Sequence, residues 1–151
     1  MRLQSAIFSL EDTMLDPAAR PAYHARAGLD KVLSILKMES VWLYAVSALP
    51  RGEARAAVEE SGLSDYLRGL LTETDAACAA DSAAMFEKAM RRLQGTYRDT
   101  VVFVGRLAAL KNAREAGFRT VAVRGCADEE EWNEMCALAT ETLERYEDFL
   151  A

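Results

Sequence analysis

The chain has 151 residues, 51% of them hydrophobic and 28% charged, with a net charge of −6 and a pI near 4.9, which suits one globular domain with one proper core. The acidic balance argues against nucleic acid or an anionic membrane as partner; no apolar run reaches the roughly 18 residues of a membrane span, and no signal peptide is apparent around Arg2. Three widely spaced cysteines, Cys78, Cys126 and Cys136, point to a reducing cytoplasm, with no disulfide framework and no zinc cluster.

Leu3 to Phe8 is a short apolar run that reads as a buried central strand. Glu11 to Arg20 is turn-like, with Pro17 and Pro21 as breakers. Leu29, Val32, Leu33 and Leu36 recur at i, i+3, i+4 and i+7, which predicts an amphipathic helix over about 25–37. Val41 to Val46 predicts a second strand. Pro50 suits the first turn of a helix and Gly62 its end, and Leu70 to Thr72 predicts a weak edge strand. Asp81 is placed to cap a helix whose Met85, Phe86, Ala89 and Leu93 face inward. Val101 to Val104 is a β-branched strand. A helix over about 107–116 ends at Gly117, and Arg119 to Val123 predicts a fifth strand. Asp128 caps a last helix with Trp132, Met135, Ala139, Leu143, Tyr146 and Phe149 on one face, read as core with a dimer face as the alternative. The acidic run Asp128 to Glu131 suits a helix N-terminus.

Strands alternating with helices predict a single α/β domain, three layers deep, with a parallel sheet covered on both faces. Any site then lies at the C-terminal strand ends, near the topological switch point. Ser9, Ser47 and Arg106 fall at such ends.

Four segments carry a further signal, in order along the chain. Ala6 to Asp16 reads AIFSLEDTMLD. Val41 to Ser47 is an apolar strand ending in Ser, followed by EARAAVEESGLSDYL at Glu53 to Leu67. Met85 to Ala89 reads MFEKA. Val101 to Gly105 reads VVFVG, followed by AREAGFRTV at Ala113 to Val121. Together, over roughly residues 3–125, they resemble the motifs of the haloacid dehalogenase (HAD) superfamily. The resemblance implies a doubly wound HAD-like Rossmannoid sheet of strand order 5-4-1-2-3. The gap before the Leu29 helix and the stretch Glu73 to Asp81 are both too short for a cap domain, so residues 1–151 are expected to form a capless core.

Phosphoryl transfer in that family, as the resemblance implies it, needs an attacking carboxylate, a second carboxylate two residues on, a Lys with a Ser or Thr on the phosphoryl oxygens, and an acid that helps hold magnesium. Here Ser9 stands at the nucleophile position, Glu11 keeps a longer carboxyl at the proton-shuttle position, and Thr13 matches. Ser47 is an acceptable phosphate-binding hydroxyl. Ala80 falls on the Lys position, and Arg106 on the metal-binding acid, with the next acid replaced by Ala109 or Leu110. A shifted register in which Glu11 or Asp12 attacks would put Leu15 or Asp16 at the Thr position. The bland readings stand beside these. Ser9 is a small loop residue, Ser47 satisfies nearby backbone, His24 lies on a surface flap, and the cysteines are ordinary thiols.

The expectation is therefore a degenerate catalytic set (Ser9, Glu11, Ser47, Ala80, Arg106) in a vestigial ligand pocket of Ser9, Glu11, Thr13, Ser47 and Arg106. The family magnesium site is expected to be lost, with Arg106 beside Glu11 as a built-in cation. The function this implies is a cytoplasmic pseudo-phosphatase, not an enzyme, with a binding or scaffold role. Its partner would be an unknown protein or a second copy, not nucleic acid or a membrane. The alternative is a residual HAD-type phosphohydrolase or a phosphate-binding anion sensor.

Overall fold

The computed structural model describes residues 3–150. Its centre is β1, Ser5–Ser9, in which all five residues are buried. A run without polar alternation is what a strand covered on both faces requires. Parallel neighbours flank it: β2 (Trp42–Ser47), β3 (Gly69–Thr72), β4 (Thr100–Val104), β5 (Arg119–Val123) and β6 (Glu141–Leu143), in the order 3-2-1-4-5-6. Ser9 pairs with Val46 and Phe8 with Phe103, so the C-terminal ends of β1, β2 and β4 open at one level.

The helices α1 (Leu29–Met38), α2 (Arg51–Glu60), α3 (Glu73–Ala76), α4 (Ala83–Arg92), α5 (Leu107–Ala116) and α6 (Glu129–Leu138) form the outer layers. Side chains alternate across a strand, so Ala6 and Phe8 join one core with α1 and α2, and Ile7 joins the other with α4, α5 and α6. Phe8 and Phe103 stack at 4.2 Å between ring centroids. Between β1 and α1, and between β3 and α4, stand only residues 10–28 and 73–82, with no inserted domain. Among the described residues no helix is long and apolar enough to cross a membrane.

Three expectations are corrected. The first helix starts at Leu29, not near Ala25, because Gly28 takes φ +83° and Ala25 bridges back to Leu15. The α4 cap is Ser82, whose hydroxyl accepts from the Met85 N–H at 3.2 Å, rather than Asp81. The last helix is cut at Leu138. Ala139 turns extended, β6 pairs beside β5, and Tyr146–Leu150 is a 3₁₀ turn. The single apolar face read from Trp132 to Phe149 is thereby split. Trp132 and Met135 enter one core layer and Leu143 and Tyr146 the other. The five-strand order holds, with β6 added outside β5.

Candidate functional site at the strand ends

Directly after β1 the chain makes a single π-helical turn, Leu10–Met14. The Thr13 hydroxyl closes it by donating to the Ser9 carbonyl at 2.7 Å, and the Thr13 carbonyl accepts from the Tyr146 hydroxyl at 2.7 Å. This turn carries Glu11 and Asp12 to the mouth of the sheet. The Glu11 carboxylate accepts from the Ser47 hydroxyl at 2.5 Å and from the Ala48 N–H at 2.9 Å. It is thus a strut between the loops after β1 and β2. Ser47 in turn accepts from the Leu49 N–H at 3.0 Å.

Asp12 is held through its backbone. Its carbonyl accepts from the Arg26 guanidinium at 2.7 Å, and the same guanidinium donates to the Arg124 carbonyl at 3.2 Å. Gly105 and Gly125 close around that carbonyl. A Cβ at either would stand 2.7 Å or 3.0 Å from it. Burial pushes the Glu11 carboxyl up from its ordinary value, against the hydrogen bonds from Ser47 and Ala48. Burial also raises Asp12, against the charges of Arg106 and Arg26. Two carboxyls that resist ionisation therefore stand side by side.

A cavity of about 330 Å³ opens above them. Among the described residues its lining carboxylates are Glu11, Asp12, Asp16 and Glu53, and its lining cation is Arg20. Tyr23 and Leu49 supply part of its apolar wall.

Of the degenerate set and vestigial pocket expected from the sequence (Ser9, Glu11, Thr13, Ser47, Ala80, Arg106), Glu11 alone lines this cavity, beside Asp12, Leu15 and Asp16 of the shifted register and Cys126. Ser9 is buried at the end of β1, 7% exposed. Thr13 is fully buried and spent on backbone closure. Ser47 is buried and spent on Glu11 and Leu49. Ala80 is half-buried, its N–H donating to the Glu73 carboxylate at 2.8 Å.

Arg106 does not partner Glu11. Its guanidinium grips Glu131 at 2.9 Å, and the Glu131 carboxylate also accepts from the Leu107 N–H at 2.9 Å, capping α5 from the neighbouring helix. The physical reason is competition. Glu11 is already satisfied by Ser47 and Ala48, while Glu131 offers Arg106 a two-pronged partner at a helix N-terminus. Glu131 stays easily ionised because Arg106 and the Leu107 N–H both favour its charge.

His24 is exposed, and Cys78, Cys126 and Cys136 are free thiols. Among the described residues no group of three or more His, Cys, Asp or Glu side chains is placed to hold a metal. In the sequence Arg26 carries no sign of its role, Glu131 reads only as the end of an acidic helix start, and Asp12 only as a shifted nucleophile. Asp12 lay in plain view beside Glu11, whereas Arg26 and Glu131 act across 14 and 25 positions and carry no local signal.

No protein-family model matches this chain, and no curated protein matches it in sequence. Solved structures do. A haloacid dehalogenase-like family hydrolase from Streptococcus pneumoniae is similar at a TM-score of 0.82 and 11% identity, over 98% of this chain and 97% of that one. CbbY from Rhodobacter sphaeroides, in complex with phosphate, is similar at 0.80 and 13%, over 95% of each. The L-2-haloacid dehalogenase from Xanthobacter autotrophicus, with chloropropionic acid covalently bound, is similar at 0.77 and 10%, over 97% and 96%. The fold is that of the HAD-like hydrolases. At these identities the likeness establishes the fold, and the chemistry rests on the residues at the strand ends.

Proposed function

We propose that this chain is a HAD-like protein whose catalytic set is degenerate and whose role is to bind a partner rather than to turn over a phosphoester. The observation that carries the reading is the end of β1. A covalent mechanism needs a carboxylate there, or a hydroxyl with an adjacent base. Among the described residues no base is hydrogen-bonded to the Ser9 hydroxyl, and the nearby Glu11 carboxylate is spent on Ser47 and Ala48.

Magnesium, which the fold family implies, does not fit this donor set. It wants several free oxygen ligands. Glu11 is engaged, the Asp12 carbonyl is taken by Arg26, and Arg106 brings a cation to the acid position. A phosphate sensor using Ser9, Ser47 and backbone amides fits less well. The adjoining cavity presents Asp16 and Glu53, and the two burial-raised carboxyls Glu11 and Asp12, against the cation Arg20, a balance that does not favour an anion. Three free cysteines, two of them exposed, favour a reducing compartment, and we assign the protein to the cytoplasm.

The test is turnover of p-nitrophenyl phosphate and several sugar phosphates with magnesium. The expected result is none above background. Turnover above about 0.1 per second, within the ordinary enzyme range, and abolished by Ser9→Ala, overturns the reading. Ser9→Asp alone is expected to restore nothing, because groups that act as a unit are strongly non-additive and Ala80 and Arg106 remain.

A further inference from the structure

At the opposite end of the sheet the chain exposes what a folded protein ordinarily hides. Trp42 opens β2 with 47% of its surface in water, and Met38 closes α1 at 84%. Two hollows adjoin at Trp42. One, of about 440 Å³, is lined in part by Lys37, Trp42, Tyr66 and Arg68. The other, of about 120 Å³, is lined by Trp42, Arg68, Arg92, Leu93 and Gln94. The Arg68 guanidinium lies 4.0 Å over the Trp42 ring. The Lys37 ammonium donates to the Asp65 carbonyl at 3.0 Å and stands 5.9 Å from the Tyr66 ring. Arg92 reaches the Tyr44 hydroxyl at 3.5 Å.

Trp, Tyr and Arg are the residue types that dominate binding energy at interfaces. The Arg68–Trp42 stack is already formed, so docking against it costs little further ordering. The charge is local and opposite to that of the whole. Among the described residues three cations and one carboxylate, Asp65, line these hollows, on a chain of net charge −6. A short acidic segment feels the local field, because charges beyond about 8–10 Å are screened. A long polyphosphate would meet the acidic remainder of the surface as well.

We propose that this groove docks an acidic segment of a partner protein, its carboxylates on Lys37, Arg68 and Arg92 and an apolar side chain against Trp42. The inference gives a location to the binding role proposed above. Its test involves no phosphate chemistry, so the two stand or fall separately.

The full chain, labelled with ¹⁵N, is titrated with a dodecapeptide of Glu and Asp around a central Leu-Phe pair. The same peptide with Lys at every acidic position, and a single-stranded oligonucleotide of equal length, serve as comparisons. The acidic peptide is expected to move the indole N–H resonance of Trp42 and not that of Trp132, which is 3% exposed. Affinity should fall at least about tenfold in Arg68→Glu, and severalfold as salt rises from about 0.05 to 0.3 M. Trp42→Ala, followed through the Tyr66 backbone amide, should weaken binding as well. No shift at about 1 mM peptide, equal binding of the Lys peptide, tighter binding of the oligonucleotide, or an undiminished Arg68→Glu variant each overturns the proposal.

Discussion

Replacing Tyr146 with Phe removes one oxygen atom and tests how the C-terminal segment holds the turn after β1. Tyr146 is 2% exposed, and its hydroxyl donates to the carbonyl of Thr13, a fully buried residue, across 133 positions of sequence. The ring of Tyr146→Phe fills the same space, so the transfer and cavity costs of a truncation are nearly absent. What remains is a buried carbonyl without its donor, which costs about 1–3 kcal/mol, less the relief of no longer burying a hydroxyl. The expected net is about 1–2 kcal/mol, read as a fall in Tm of about 2–8 °C for a chain of this size. Equilibrium urea unfolding at pH 7 measures it, and a change below about 0.5 kcal/mol would refute the reasoning.

A second arm uses pH. Burial holds the Tyr146 phenol above the ordinary tyrosine range. An acid raised on folding contributes stability that is complete below its unfolded value, about 10 for tyrosine, and is lost as pH rises beyond it. Tyr146→Phe carries no such group, so the gap between wild type and variant should narrow above pH of about 10.

Asp12→Asn should gain on the wild type as pH rises. Burial raises the Asp12 carboxyl on folding, so its contribution is complete below about pH 4 and is lost above it; melting curves from about pH 4 to 7 that stay parallel would sink this. Gly105→Ala should destabilise by about 2 kcal/mol or more, because the new Cβ would stand 2.7 Å from the Asp12 carbonyl, a backbone atom with little room to move; a urea midpoint unchanged from wild type would contradict it. Arg106→Ala should cost less than about 1 kcal/mol, as its side chain is 50% exposed and paired with Glu131 at the surface. Glu131→Ala should cost more than Arg106→Ala, since it also strips the cap from the Leu107 N–H, and the reverse order in chemical denaturation would show that the pair had been misjudged.

The sequence by itself determined which segments are buried and where most elements stop. The apolar runs Ala6–Phe8 and Val101–Val104 read as strands covered on both faces, and β1 and β4 are buried along their whole length. Gly117, at φ +100°, and Asp128, accepting from the Glu131 N–H at 2.8 Å, end and start helices where their chemistry said they would. Ser9 at the tip of β1 was equally legible, because a motif fixes the position of a residue within its own strand–turn unit. The tertiary structure alone decided which groups meet. Hydrophobic periodicity records that Trp132 and Tyr146 are buried, but not that a break at Ala139 sends them to opposite faces of the sheet. A charge on a loop records the need for a partner without naming it. Arg106 took Glu131 because Ser47 and Ala48 already satisfied Glu11, and Arg26 found the Asp12 carbonyl because two glycines left room beside it. Such choices depend on distances between loops that are remote in sequence, and those distances exist only once the sheet has brought the strand ends to one level.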